Sequence, residues 1–146
     1  MLDMLTKSSA SRIAAIAGGV LLVAAFVALA LARWAPEAAP KSVTLVYVGA
    51  EDCPPCRVWQ RNQGTAFRDS LEFRQLAFHE VKSPTLFDVL DDNNWPAELR
   101  VYRQAITKGT GVPLWLVIAD DKIVMQRSGL AQWQEAIYPK LKSLLR

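Results

Sequence analysis

Apolar residues are patterned along this chain in runs that predict different structures. Residues 13–32, IAAIAGGVLLVAAFVALALA, run for twenty positions without a charge, long enough to cross a hydrocarbon core of about 30 Å as a helix. Ser42–Ala50 (SVTLVYVGA) and Leu114–Ala119 (LWLVIA) are short and rich in β-branched and aromatic residues, as buried strands are. From Leu130, apolar side chains recur at Trp133, Ile137, Leu141 and Leu144. Those spacings line one face of a helix, which Pro139 is expected to kink.

Weaker patterns fill the gaps. The sequence turns helical at Pro54 and continues through Val58, Trp59 and Asn62, with Gly64 as the expected break and Thr65 capping a second short turn through Phe67 and Arg68. Glu72–Val81 reads as a second strand, Pro84–Leu90 as a short helix, residues 91–94 as a turn, and Pro96–Ile106 as a longer helix. Asp120-Asp121 joins the third strand to a returning strand, Lys122–Arg127, in a hairpin that Gly129 ends. The order strand, helix, strand, helix, hairpin, helix implies an α/β fold: a mixed central sheet with helices on both faces.

The leading apolar run divides the chain. Residues 1–12 read as a cytoplasmic N-terminus, since Lys7 and Arg12 precede the run and only Asp3 opposes them. Residues 13–33 read as one N-terminal transmembrane helix, residues 34–41 (WAPEAAPK) as a stiff linker, and residues 42–146 as a single domain. A cleaved signal peptide competes with the anchor, because Ala28-Leu29-Ala30 and Ala30-Leu31-Ala32 resemble cleavage sites, although signal cores run to about 15 residues. Either reading places the domain outside the cytosol: tethered to a bacterial inner membrane and facing the periplasm, or released there. Three of the 17 basic and one of the 14 acidic residues precede Ala35, which leaves 14 against 13 and a net charge of +1. No basic stripe argues for nucleic acid.

Candidate chemistry is confined to Cys53-Pro54-Pro55-Cys56, which holds both cysteines of the chain. A helix starting at Cys53 brings both sulfurs onto one turn, with Cys53 expected to be exposed at the N-terminus and Cys56 behind it. Backbone N–H groups and the helix dipole there favour a thiolate, and Pro54 fits the first turn, where a missing N–H is no loss. The outer thiolate attacks a disulfide and the inner thiol resolves the mixed disulfide. Two other uses of the pair compete with this one. An inert disulfide closing so short a loop removes little chain entropy. A zinc site usually takes four Cys or His ligands, and the only histidine is His79.

With CPPC at the end of the first clear strand and Gly111-Val112-Pro113 opening the hairpin, residues 42–146 resemble the thioredoxin superfamily, most of all its membrane-tethered periplasmic members. The resemblance implies a thioredoxin-like fold and thiol–disulfide oxidoreductase activity through catalytic Cys53 and Cys56. It also implies a cis Pro113 beside the cysteines and a Val112 backbone that receives an extended peptide, so Pro54, Pro55, Val112 and Pro113 are the candidate substrate-binding residues. No metal and no cofactor beyond a redox-active Cys53–Cys56 disulfide are implied. Expected partners are protein disulfides or dithiols and a membrane electron donor that recharges the pair, with the N-terminal helix in the membrane.

The sequence departs from that family in three places. Asp52 stands where Trp often precedes the first cysteine. Tyr47 occupies the position of a buried acid, for which Glu51, Asp52 or Glu80 are the possible substitutes. The stretch Ser83–Gln104 is longer than in a minimal thioredoxin. Pro54 and Pro55 bring neither N–H nor charge to the thiolate, which points to a reducing couple. Two other classes of function remain open. One is a Cu(I) carrier using both thiolates with His79 or Met125; the other is a non-catalytic adaptor docking through Ser83–Gln104. His79 itself is expected on a strand face beside a carboxylate, and Trp95, Trp115 and Trp133 in packing.

Overall fold

The computed structural model describes residues 39–107 and 109–145. The segment 1–12, the apolar run at 13–33 and most of the linker lie outside the described residues. Among the described residues, no helix is long and apolar enough to cross a membrane.

Four strands form one sheet in the order β2-β1-β3-β4: β1 (Val43–Ala50), β2 (Ala77–Ser83), β3 (Leu114–Ala119) and β4 (Lys122–Ser128). β1 pairs in parallel with β2 and antiparallel with β3, which pairs antiparallel with β4. β1 and β3 are central and covered on both faces, so they read as almost continuous apolar runs instead of alternating ones. Asp120 and Asp121 both adopt positive φ (46° and 63°), making a two-residue turn whose twist suits the flanking strands.

Three expectations need correction. β2 begins at Ala77, not Glu72, because Phe73–Gln75 forms a 3₁₀ turn. The Ser70 hydroxyl accepts the Phe73 N–H at 3.2 Å, and the apolar residues Phe73 and Leu76 pack on the core from outside the strand. The first helical segment divides into α1 (Pro54–Arg61) and α2 (Gln63–Arg68) at Asn62, with Gly64 inside α2. Gly64 is needed for close approach: a Cβ there would lie 3.0 Å from the Trp59 ring.

Thirdly, no full helix covers residues 84–90 or 96–106. The chain makes 3₁₀ turns at Leu86–Asp88, Asp92–Asn94 and Ala97–Leu99, then one helical turn, α3 (Arg100–Arg103). Side chains satisfy the backbone locally and compete with helix. The Asp91 carboxylate accepts the Asn93 N–H (3.0 Å), Asn94 Nδ2 donates to Asp88 O (2.7 Å), and Trp95 Nε1 donates to Val89 O (2.8 Å).

At the C-terminus a π-helical turn, Trp133–Ile137, runs into α4 (Tyr138–Leu144). The irregularity expected at Pro139 takes this form, since proline cannot complete the i→i−4 ladder and the preceding turn widens.

The sheet separates two apolar layers. Val46, Val48 and Ala50 of β1 and Leu114 and Leu116 of β3 point to the face that holds Cys53, Cys56, Val89 and Trp95. Leu45, Tyr47, Trp115 and Val117 point to the other, under Trp59, Phe67, Trp133 and Leu141. The architecture is α/β with a mixed central sheet, as expected, but the expected helix layer on the cysteine face is reduced to turns.

Candidate active site

The site lies where β1 runs out. The Glu51 N–H donates to Ser83 O at the end of β2 (3.0 Å), and the Cys53 N–H donates to Ala50 O (3.3 Å), so the chain folds back at once into α1. Cys53 is the N-cap, with extended backbone (φ −94°, ψ 105°). Its sulfur accepts the Cys56 N–H at 3.1 Å and its carbonyl accepts the Arg57 N–H at 3.2 Å. Pro54 takes the first helical position. Cys53 and Cys56 are joined as a disulfide, with an S–S distance of 2.07 Å.

The hairpin brings the second half of the site from 59 residues away. The Val112–Pro113 peptide bond is cis, as the resemblance implies, and Cys53 Sγ lies 3.7 Å from Val112 O. The Gly129 N–H donates to Pro113 O at 2.8 Å, fastening this loop to the end of β4. Cys53, Cys56, Val112 and Pro113 thus come together. Pro54 and Pro55 flank them on the solvent side, Val112 is half-buried and Pro113 is buried.

One expectation about the site fails. Cys53 is not exposed at the helix mouth: it is 1 % accessible and Cys56 0 %. The helix position alone would leave the first sulfur open, but Val89, Trp95, Leu99 and Ile106 pack in the same cluster as both cysteines. The apolar residues Val89 and Trp95, embedded in the acidic and amide-rich stretch FDVLDDNNW, are the sequence signal of this cover.

The polar surroundings are also specific. Arg57 Nη1 donates to the Glu51 carbonyl at 2.6 Å, while the carboxylates of Glu51 and Asp52 are solvent-exposed. Glu80 is held by Arg68 (3.5 Å) and Lys82 (3.3 Å). Among the described residues no carboxylate bonds to Cys56, so none of the three candidate substitutes takes the place of a buried acid. Tyr47 does not do so either. It lies on the opposite face, stacked on Trp59 at 4.4 Å, and its hydroxyl accepts from Gln60 Nε2 at 2.9 Å. Burial pushes its pKa up to about 12, against the smaller lowering effect of the Gln60 bond.

The remaining candidates lie away from the sulfurs. His79 pairs in register with Val46, four positions before the end of β1, and among the described residues it has no carboxylate partner. Met125 packs in the layer opposite the cysteines. Neither is placed as a third copper ligand. Trp95, Trp115 and Trp133 are buried packing residues, as expected, and Trp95 is the one in contact with the cysteine cluster.

No protein-family model matches the chain, and no curated protein sequence matches it. Solved structures similar to it include thioredoxin f from spinach chloroplast, with 12 % identity, TM-score 0.49, and 73 % of this chain and 79 % of that chain covered. A thioredoxin variant from Halobacterium salinarum is 21 % identical with TM-score 0.47, covering 72 % and 76 % of the two chains. The oxidoreductase DsbH is also 21 % identical, with TM-score 0.41 and coverage of 69 % and 73 %.

Proposed function

We propose that this protein is a thiol–disulfide oxidoreductase that works outside the cytosol and mainly reduces disulfides of partner proteins. The observation that supports this best is the position of one sulfur. Cys53 Sγ caps α1, accepts the Cys56 N–H, and lies beside the Val112 carbonyl next to a cis proline. In the reduced form the same N–H and the helix terminus stabilise a Cys53 thiolate.

The thiolate attacks one sulfur of the partner's disulfide, forms a mixed disulfide and expels the other partner sulfur as a thiolate, which takes up a proton. The Cys56 thiol loses its proton and attacks Cys53 Sγ. The Cys53–Cys56 disulfide re-forms and the second partner thiol leaves. Two electrons pass to the partner, with one proton from Cys56 and one from solvent, and a membrane electron donor restores the reduced pair. Val112 offers its backbone to the partner's chain by strand addition, with Pro113 beneath and Pro54 and Pro55 at the rim. Because both sulfurs are buried in a cluster that includes Val89 and Trp95 and packs against Val112, local opening of that cluster precedes attack.

Support for the reducing direction comes from Pro54 and Pro55, which give the thiolate no donor and no charge. The location rests on the uncharged run at 13–32 and on a cysteine pair suited to an oxidising compartment. The test is catalysed insulin reduction with dithiothreitol as donor. Wild type should accelerate it, Cys53→Ser should abolish the acceleration, and Cys56→Ser should accumulate a partner held covalently on Cys53. No acceleration and no trapped species would sink the reading. A measured potential near about −120 mV, the level of a strong periplasmic oxidant, would reverse the direction alone.

A further inference from the structure

Resting on that redox reading, we infer that the outer side of the Leu86–Asp88 turn is a docking surface for a basic, apolar segment of the partner polypeptide. Ser83 is tied to Glu51, two residues before Cys53, and the buried Ser83 hydroxyl donates to Thr85 O at 2.7 Å, launching the turn from the site's edge. The turn has two sides. Val89, at 5 % accessibility, faces the cysteine cluster, while Phe87 is 96 % exposed and Leu86 47 %. Two adjacent large apolar side chains held in water, on a turn whose next residue, Val89, packs in the cysteine cluster, are placed to be covered by a partner.

Charge decides the kind of partner. Pro84–Leu99 contains Asp88, Asp91, Asp92 and Glu98 and no lysine or arginine; of the basic residues that flank it, Lys82 pairs with Glu80 and Arg100 is turned onto the Trp95 carbonyl. Arg103 pairs with Asp92, but Asp88 and Asp91 remain exposed, and Thr85 Oγ1 donates to Asp88 Oδ2 at 2.8 Å to fix that carboxylate beside Phe87. Glu51 and Asp52 are also exposed at the mouth of α1, where Arg57, bonded to the Glu51 carbonyl, offsets part of their charge. Complementarity therefore selects Lys or Arg flanking a large apolar residue near the target cysteine. Anionic lipid headgroups would meet repulsion, and a second copy of this chain would bring the same carboxylates face to face. A partner that grips Phe87 holds the segment whose other side, at Val89, packs in the cysteine cluster, so docking and opening of that cluster share one element.

The test uses the full chain and two disulfide-linked peptide probes of equal length, one carrying Lys, Arg and Phe around its cystine, the other with Glu replacing Lys and Arg. Wild type should reduce the basic probe about tenfold faster, with the preference shrinking at high salt. Phe87→Ser and the double variant Asp88→Asn, Asp91→Asn should cut it to about twofold or less, with reduction of the small neutral hydroxyethyl disulfide unchanged. Equal rates for the two probes, or a full preference in Phe87→Ser, would overturn the inference. If even hydroxyethyl disulfide is not reduced, the redox reading fails, and docking is then decided by anisotropy of the labelled basic peptide on the oxidised chain. Binding lost in Phe87→Ser supports the surface, and no binding refutes it. Self-association through this face, or binding to anionic vesicles that Phe87→Ser abolishes, also overturns it.

Discussion

The two faces of the sheet are closed by different means. On the face away from the cysteines, Trp59 stacks on Tyr47 at 4.4 Å and meets Trp115 and Trp133 edge-on at 5.6 and 5.0 Å, with Phe67 against Trp133 at 5.0 Å. These rings are anchored by α1, α2, the π-helical turn and α4, whose backbone bonds are internal. On the cysteine face the cover is a succession of single turns held by side-chain bonds such as Trp95 Nε1 to Val89 O. A layer of interlocked rings opens only when the domain unfolds, whereas a cover of short turns can open alone. The contrast places stability on one face and access to the disulfide on the other.

The contrast can be broken by substitution. Trp59→Ala should cost the largest amount, about 3–5 kcal/mol of folding stability, read by denaturant unfolding. If the midpoint moves by less than about 1 kcal/mol equivalent, the aromatic face does not carry the stability assigned to it. On the other face, Trp95→Phe keeps the ring but loses the bond to Val89 O, worth about 1 kcal/mol. If the cover opens locally, dithiothreitol should reduce the Cys53–Cys56 disulfide about fivefold faster, with a smaller change in the unfolding midpoint. An unchanged reduction rate would mean that the cover does not limit access.

A pH experiment sharpens the same comparison. Tyr47 is held neutral in the folded state up to about 12 against an ordinary value of 10.0. A raised folded pKa contributes stability that is complete below pH 10 and lost as pH climbs from about 10 through 12. The wild-type protein should therefore lose more stability across that window than Tyr47→Phe, measured by urea unfolding at fixed pH; parallel losses would remove Tyr47 as the cause. The smallest effect is expected at Phe87. With its side chain in water, Phe87→Ser should change stability by less than about 0.5 kcal/mol, and a larger loss would show the ring is packed in solution.

Much of the fold was legible in the residues because its signals are local. β1 and β3 announce themselves as unbroken apolar runs, the Asp120-Asp121 hairpin as a turn between such runs, and the last helix as a stripe from Trp133 to Leu141 with its irregularity at Pro139. The site was legible for a related reason: a Cys-x-x-Cys at a strand end fixes its own geometry over one turn, and Val112-Pro113 marks its counterpart. Phe73 misled because an apolar residue beside a strand pattern can serve a turn, as the Ser70 bond to its N–H shows. The helix expected at 84–90 misled because the side chains of Asn94 and Trp95 take the Asp88 and Val89 carbonyls that helix would otherwise use.

By itself, the sequence determined the order of the strands and the pairing chemistry of Cys53 with Cys56; the proline set against them was implied by the family resemblance. Only the tertiary structure decided that Cys53 is covered, that Tyr47 belongs to an aromatic stack and not to the cysteines, and that Phe87 stands outside. Burial sums contacts between residues far apart in the chain, and no spacing rule of a single helix or strand contains that sum.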